Sequence, residues 1–339
     1  MNDRFLRACR RQSVDRTPVW FMRQAGRYMS EYRALREKYS ILQLARTPEL
    51  ACQVTLQPIN EFSLDAAIIF ADILLPVTPM GVNLRFAPGP ILDNPVRSAG
   101  DVRRLKDFDV EEGLGFLFES VRLARRELDG KVPLIGFAGA PFTLASYLIE
   151  GGHSDHYVLT KAFMYEQPEA WDLLMRKVRR ITADSLKAQA AAGAQALQLF
   201  DSWVGALSPD QYRKSIQPHS RFVLDAVKGL GVPVIHFGTG TNGFLEDFAA
   251  SGGSVVGVDW RIDLDVAWKR IGHGRAIQGN LDPVLLLGSK AALKKDVRRI
   301  LGQAGGRRGF IFNLGHGILP KTPVENVRAA VDCVHEGRS

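Results

Sequence analysis

The stretch DAAIIFADILLP, residues 65–76, places six apolar residues between two aspartates and ends at a proline. An apolar run of this length is too short for a helix and is typical of a buried strand. Similar runs alternate with amphipathic helical stretches along the whole chain, a pattern that predicts parallel βαβ units. The predicted strands are Val19–Met22, Ala66–Ala71, Val132–Phe137, Ala196–Phe200, Val232–His236, Val255–Asp259, Ala276–Gly279 and Gly309–Asn313.

Each predicted strand gives way at its carboxyl end to polar or glycine-rich sequence. In a (β/α)8 barrel these ends converge on one mouth, and that face carries the chemistry. Eight such units therefore predict an α/β fold, a TIM-type (β/α)8 barrel that spans residues 1–339 as a single domain. The segment NLRFAPGPILDNPVRS, residues 83–98, predicts a small hairpin inserted after the second strand. A doubly wound sheet is the competing fold.

The composition is that of an ordinary globular protein, with 46% hydrophobic and 24% charged residues. No apolar run approaches the roughly 18 residues that cross a bilayer, and the charged amino-terminal stretch lacks the pattern of a secretion signal. Three scattered cysteines indicate neither a disulfide framework nor a cysteine zinc site. We therefore expect a cytoplasmic protein with no membrane partner.

Basic residues exceed acidic residues by 44 − 36 = 8, which favours an anionic ligand or a nucleic acid. The basic residues are dispersed, and their short clusters have the spacing of solvated helix faces. No zinc-finger, RNA-binding or basic-zipper pattern accompanies them. The sequence therefore predicts no nucleic-acid partner.

The stretch GTGTNG, residues 238–243, fits the dinucleotide fingerprint, and Asp259 lies at a suitable distance for a ribose hydroxyl. A dehydrogenase would need such a motif. The fingerprint normally opens the first unit of its domain, whereas four predicted strand units precede this one. The favoured interpretation is a permissive loop at the barrel mouth.

Asp72 follows the apolar run of the opening stretch, and burying a carboxylate is costly unless something compensates its charge. It is either half of a buried ion pair with an arginine of a neighbouring strand or a group held ready for a cationic or N–H-rich ligand. Arg23 and Arg27, four apart in PVWFMRQAGRYMSEYR (residues 18–33), end another predicted strand. Arginines bind carboxylates in a forked geometry.

Three further polar side chains are expected at the same mouth. Tyr147 and Ser202 supply neutral hydroxyls, and His316 lies between glycines in NLGHGILP (residues 313–320). His236, inside an apolar run, is interpreted as a hydrogen-bonded core histidine. With no metal-ligand cluster and no nucleophile–base pair, the mouth suits a ligand with carboxylates outside and N–H groups at its centre.

Besides the stretches quoted above, six further motifs carry a resemblance to a known family: LARTPELACQVTLQP (44–58), GFAGAPFTLASYLIEGG (136–152), QLFDSW (198–203), GVDWR (257–261), QGNLDP (278–283) and NLGHGILPKTPVENV (313–327). The chain resembles the uroporphyrinogen decarboxylase family over nearly its whole length. Such proteins are single barrel domains, usually homodimers, that use no cofactor and no metal. They remove carbon dioxide from the four acetate side chains of uroporphyrinogen III to give coproporphyrinogen III in heme biosynthesis.

The resemblance also implies roles for individual residues. Asp72 is the central aspartate, which stabilises a pyrrole made cationic by protonation at carbon. Arg23 and Arg27 hold peripheral carboxylates, and one of them delivers or steers the proton. The implied substrate-binding residues are Arg23, Gln24, Ala25, Gly26, Arg27, Asp72, Tyr147, Ser202 and His316.

Two rival functions remain. A branch of the same superfamily consists of zinc-dependent corrinoid methyltransferases, which need a His-x-Cys pair and a later cysteine. Here the pair reads His236-Phe237-Gly238 and the later position is His316, so the thiolates are absent. The other rival is a non-catalytic module that binds a tetrapyrrole or another anion, although every matched position is present.

Overall fold

The computed structural model describes residues 2–337, so the predicted domain of residues 1–339 extends slightly beyond it at both ends. Seven strands form one parallel sheet in the order β1, β4, β5, β6, β7, β8, β9, and β2 and β3 form a separate antiparallel pair. The strands are β1 Ala67–Ile68, β2 Leu84–Phe86, β3 Pro90–Leu92, β4 Leu134–Gly139, β5 Ala196–Asp201, β6 Val234–Gly238, β7 Val255–Gly257, β8 Ala276–Leu281 and β9 Phe310–Leu314.

Helices connect successive strands of the parallel sheet, and within residues 2–337 none is both long and apolar enough to cross a bilayer. The helices are α1 Arg4–Cys9, α2 Ser30–Lys38, α3 Ile41–Arg46, α4 Pro48–Glu61, α5 Ala99–Arg104, α6 Val110–Glu127, α7 Pro141–Glu150, α8 Val158–Glu166, α9 Pro168–Ala191, α10 Pro209–Gln211, α11 Gln217–Val227, α12 Leu245–Ala250, α13 Leu264–Ile271, α14 Lys290–Ala304 and α15 Val324–Glu336.

The first predicted strand, Val19–Met22, is wrong as a strand. Among the described residues this segment forms a single isolated β-bridge, a parallel one between Val19 and Phe312, and no continuous strand pairing. The reason is that side-chain oxygens occupy the next backbone donors: Asn313 Oδ1 accepts from Met22 N–H at 3.1 Å. One residue earlier, Gln24 Oε1 accepts from Phe21 N–H at 3.1 Å. The other seven predicted runs each overlap a strand of the parallel sheet.

The space enclosed by the sheet is filled at the amino ends of the strands. Phe5 of α1 packs edge-on against Trp20, with ring centroids 6.5 Å apart. The Trp20 indole N–H donates to Gln278 Oε1 at 2.9 Å, and Gln278 in turn donates to Gln198 Oε1 at 3.1 Å. Packed and hydrogen-bonded side chains therefore close this end of the sheet, whereas a cavity is open at the carboxyl ends of the strands.

Asp65, the first residue of the opening stretch, joins the two ends of the chain. Its fully buried carboxylate accepts from Val19 N–H at 2.8 Å, Arg4 at 2.6 Å, Asn2 at 2.8 Å and the His335 ring at 2.8 Å. Burial alone would raise the pKa of Asp65, but hydrogen bonds from His335 and Asn2 hold that pKa below its usual value. Asp65 is therefore a structural carboxylate.

Candidate active site

A cavity of about 370 Å³ lies at the carboxyl ends of the strands, within the usual size range of small-molecule pockets. Its floor contains the aromatic rings of Phe137, Phe200 and Phe237. Phe200 contacts the other two edge-on, with centroid distances of 5.5 and 5.8 Å. The tip of the β2–β3 hairpin, from Phe86 to Pro90, forms another wall. A large, flat, partly apolar ligand suits this shape.

Asp72 lines the cavity above the aromatic floor. Its carboxylate accepts the Leu74 N–H at 2.8 Å and has no salt-bridge partner among residues 2–337. Burial raises the pKa of Asp72, against the smaller opposing effects of the Leu74 N–H and the Arg23 charge. Of the two alternatives for Asp72, the ion pair is not found. Asp65, at the other end of the same stretch, is the carboxylate that pairs with an arginine, Arg4.

Arg23 and Arg27 also line the cavity, and both are exposed. Neither forms an ion pair with another of the described residues. Arg23 has a φ of 59°, in the left-handed region, which costs a non-glycine residue roughly 1–2 kcal/mol. Gly317 permits this turn to pack closely, because a side chain at position 317 would meet Arg23 Cγ at 2.7 Å. The strained turn directs a free guanidinium group to the mouth.

The residues between the two arginines divide into two kinds. Ala25 and Gly26 line the cavity, whereas Gln24 is buried at 1% exposure and is not part of the lining. The Gln24 amide accepts from Phe21 N–H at 3.1 Å and donates to the Ala66 carbonyl at 3.1 Å. Gln24 therefore fixes the arginine-bearing turn against the start of β1.

The remaining expected residues, Tyr147, Ser202 and His316, all line the same cavity. Burial, assisted by the Asp72 charge, raises the pKa of Tyr147 to about 12. Burial, followed by the charges of Arg23 and Arg261, lowers the pKa of His316 to about 4. Both side chains are therefore neutral at neutral pH, and the carboxylate and guanidinium groups of the lining belong to Asp72, Arg23 and Arg27.

Sequence reasoning missed the aromatic floor and the hairpin tip. Phe200 and Phe237 are register partners in β5 and β6, and both read from sequence as ordinary core residues. The available signal was a phenylalanine near the carboxyl end of three predicted strands, β4, β5 and β6. Prolines 88 and 90 suggested a turn without indicating what it covers.

The GTGTNG loop does not form a dinucleotide site. The second half of the loop forms a short 3₁₀ turn, Thr241–Phe244, and α12 begins only at Leu245, so the α-helix N-terminus that would bind a pyrophosphate lies beyond the last glycine of the motif. The Asp259 carboxylate accepts from Gly240 N–H at 2.8 Å and is ion-paired with Arg261. Asp259 is thus engaged in holding the loop and is not free for a ribose.

The interpretation of His236 as a hydrogen-bonded core histidine is partly wrong. It is fully buried and stacks on Phe248 of α12 at 3.7 Å between centroids, on the face of β6 opposite to the cavity. Neither ring nitrogen has a well-placed hydrogen-bond partner among the described residues. Burial lowers its pKa to about 3. No group of three metal-ligating side chains occurs anywhere within residues 2–337.

Comparison with known proteins now identifies the family. The family model described as "Uroporphyrinogen decarboxylase (URO-D)" matches residues 1–337. A uroporphyrinogen decarboxylase from Sorangium cellulosum is 59% identical over 99% of this chain and 96% of its own length. The chain belongs to the uroporphyrinogen decarboxylase family. A second relative of that name, from Carboxydothermus hydrogenoformans, is 55% identical over 99% of this chain and 97% of its own length.

Solved structures similar to this chain show how the family's fold extends to other proteins. A methyltransferase from Methanosarcina mazei superimposes with a TM-score of 0.83 at 20% identity, covering 99% of this chain and 98% of that one. A B12-independent methionine synthase from Shewanella sp. W3-18-1 gives a TM-score of 0.57 at 12% identity, covering 85% and 86% of the two chains. At these identities the likeness is one of fold alone, an α/β architecture around a curled parallel sheet.

Proposed function

We propose that the chain is a cofactor-independent decarboxylase, which converts uroporphyrinogen III to coproporphyrinogen III in heme biosynthesis by removing the carboxyl groups of its four acetate side chains. The observation that carries the proposal is Asp72, a carboxylate without an ion-pair partner among residues 2–337, above an aromatic floor. The relatives at 59% and 55% identity, both named uroporphyrinogen decarboxylase, support it.

The chemistry needs an electron sink, because loss of carbon dioxide from an acetate leaves an electron pair behind. In the absence of an organic cofactor the pyrrole ring itself takes this role once it is protonated at carbon. The protonated ring is cationic, whereas the substrate ring is neutral, so Asp72 stabilises the intermediate more than the ground state. A unit charge pair at about 4 Å and an effective dielectric near 20 is worth about 4 kcal/mol, roughly three decades in rate.

The raised pKa of Asp72 fits this role. A carboxylate without a compensating cation is held in the charged form at a cost, and the cationic ring supplies the missing partner. Because a cyclic tetrapyrrole presents an N–H from each ring toward its centre, one aspartate serves all four reactions if the intermediate binds again in a new orientation.

The cavity rim provides the groups that bind the periphery of the substrate. Arg23 and Arg27 hold side-chain carboxylates, and the arginine nearest the reacting ring steers the proton to it. Tyr147, Ser202 and His316 contribute neutral hydrogen bonds. Gln24, Ala25 and Gly26 act as the segment that holds both arginines in place, Gln24 from behind the lining.

We further propose that residues 1–339 form a single barrel domain in which the irregular segment Pro18–Met22 takes the place of the eighth strand, between β9 and β1. Backbone bonds on both sides support this: Phe312 N–H donates to Pro18 O at 2.9 Å, and Asp65 N–H donates to Val19 O at 2.9 Å. A homodimer is also proposed, since Val158 and Leu159 of α8 are 65% and 44% exposed. The cytoplasmic location stays a prediction, with which the three free cysteines agree.

Turnover of uroporphyrinogen tests the proposal. The purified protein is incubated anaerobically with uroporphyrinogen III, carbon dioxide is measured, and the products are oxidised and separated by their porphyrin fluorescence. We expect four carbon dioxide molecules per coproporphyrinogen, without added metal or cofactor. Unchanged uroporphyrinogen, with no carbon dioxide, would contradict the proposal and favour a non-catalytic module.

Analytical ultracentrifugation tests the dimer separately. A sedimentation coefficient that corresponds to a 37.5 kDa monomer at all protein concentrations would rule out the dimer.

A further inference from the structure

Another buried carboxylate, Asp201, lies behind the cavity wall and has no part in the chemistry described above. It ends β5 on the face that points to the helices, because its neighbours Phe200 and Ser202 point into the cavity. Asp201 is fully buried. Its Oδ1 accepts from the Thr143 hydroxyl at 3.0 Å, and its Oδ2 has no hydrogen-bond partner among the described residues.

The Thr143 hydroxyl connects Asp201 to the peptide that follows Ser202. A hydroxyl has one hydrogen to donate and lone pairs to accept with. Since Asp201 takes the hydrogen, a lone pair of Thr143 Oγ1 is directed to Trp203 N–H, at 3.3 Å. On the other side, Thr239 Oγ1 donates to the Ser202 carbonyl at 2.6 Å. The peptide that joins Ser202 to Trp203 is therefore held at both its carbonyl oxygen and its N–H.

The same contacts reach a second residue of the cavity lining. The Trp203 ring packs against the Tyr147 ring with centroids 5.8 Å apart. Tyr147 and Thr143 are both on α7, four residues apart and so on the same helix face. One buried hydroxyl thus fixes the loop after β5 against α7, and with it the two neutral hydroxyls of the cavity.

We propose that Asp201 and Thr143 are positioning residues, which orient Ser202 and Tyr147 for contact with the tetrapyrrole without touching it. The inference deepens the proposed function and rests on it. Burial raises the pKa of Asp201 to about 7, in keeping with a carboxyl group whose work is a hydrogen bond to Thr143 and not an ion pair.

Threonine-to-valine and threonine-to-serine substitutions separate positioning from packing. Thr143→Val keeps the shape and removes the hydroxyl, so we expect KM for uroporphyrinogen to rise about tenfold while kcat stays within about twofold, the pattern of lost uniform binding. A tenfold change corresponds to about 1.4 kcal/mol, the size of one hydrogen bond. Thr143→Ser restores the hydroxyl and should return KM to within about twofold of the unsubstituted chain.

Thr182→Val is the matched control. Thr182 is equally buried, and among the described residues its hydroxyl donates only to the Gly139 carbonyl, at 3.3 Å, so its removal should leave KM unchanged. Asp201→Leu removes the acceptor of Thr143 from the other side and should raise KM as Thr143→Val does. This variant keeps the test decisive if Thr143→Val fails to fold.

The possible outcomes are distinct. If the unsubstituted chain turns over uroporphyrinogen while folded Thr143→Val and Asp201→Leu have normal KM values, the inference is wrong and the proposed function stands. An equal rise of KM in Thr182→Val, or the lack of rescue by Thr143→Ser, would assign the effect to general packing and overturn it as well. If the unsubstituted chain shows no turnover, both the proposed function and the inference fall.

Discussion

Asn substitutions at the two aspartates of the stretch DAAIIFADILLP should have opposite effects. Asp72→Asn keeps the shape and the acceptor for Leu74 N–H, but it removes the charge that faces the cavity. Asp65→Asn removes the charge that is bonded to Arg4 and His335. We expect the first variant to lose activity with its fold intact and the second to lose stability with its chemistry intact.

The expected magnitudes follow from the surroundings of each carboxylate. For Asp72, a charge interaction of about 4 kcal/mol with the cationic ring predicts a fall of about three decades in turnover. For Asp65, breaking a buried ion pair costs about 3–5 kcal/mol, a large part of the 5–15 kcal/mol by which domains are typically stable.

The sign of the stability effect at Asp72 is also fixed. Because its pKa is raised in the folded chain, the ionised form disfavours folding, and stability falls as the pH rises from the unfolded value of 3.8 toward the raised pKa. At neutral pH the neutral asparagine removes this penalty. Asp72→Asn should therefore be at least as stable as the unsubstituted chain.

Two assays on the same preparations decide the matter. Urea unfolding at neutral pH gives the free energy of unfolding, and anaerobic turnover, followed by coproporphyrin fluorescence after oxidation, gives activity per folded molecule. Turnover of Asp72→Asn within tenfold of normal would refute the role given to Asp72. So would a loss of stability in Asp72→Asn as large as that in Asp65→Asn.

Three further predictions concern the arginine turn, the buried histidine and the pH dependence of turnover. Arg23→Ala and Arg23→Gly should both weaken substrate binding. In urea unfolding the glycine variant should be the more stable of the two by about 0.5–1 kcal/mol, because glycine relieves the strain of the left-handed backbone conformation. Equal stabilities would argue against such strain. His236→Leu should reduce the loss of folding stability that occurs as the pH falls. With a pKa of 6.5 in the unfolded chain and of about 3 in the folded chain, His236 lowers the free energy of unfolding by about 2 kcal/mol between neutral pH and pH 5. The same pH dependence of urea unfolding in the variant and the unsubstituted chain would contradict this. Turnover should fall on the acid side as Asp72 becomes protonated, at a pH above 3.8 because its pKa is raised, and a pH profile of kcat with no such limb would speak against an ionised Asp72.

Much of the site could be predicted from sequence because its residues follow strands. Asp72 comes directly after an apolar run, and Ser202 and His316 lie two and three residues after the ends of their predicted strands. The carboxyl ends of parallel strands meet at one mouth. The structure brings all three to one cavity together with Arg23 and Tyr147. Because the strands are short and regularly spaced along the chain, the position of each carboxyl end, and of the side chain that follows it, is largely determined by the sequence pattern.

The features that sequence did not reveal depend on partners distant in the chain. Asp65 and Asp72 look alike in the opening stretch, and what separates them is that Asp65 meets Arg4 and His335, which are 61 and 270 residues away. The irregular segment Val19–Met22 depends in the same way on Asn313, 291 residues from Met22. No local pattern reports such contacts.

Gln24 shows a different limit of prediction from sequence. Within Arg23–Arg27 it is the residue that does not line the cavity, and it directly follows Arg23, whose φ of 59° departs from the extended conformation of a strand. Its amide is therefore turned inward, to Phe21 and Ala66. Backbone conformations of this kind are set by tertiary packing, here against Gly317.

The most direct test of the account is a crystal structure of the chain with coproporphyrinogen bound under reducing conditions. We predict that the Asp72 carboxylate lies at hydrogen-bonding distance, about 3 Å, from the inner pyrrole nitrogens, with Arg23 and Arg27 on the peripheral carboxylates. A macrocycle bound with its inner nitrogens turned away from Asp72 would contradict it.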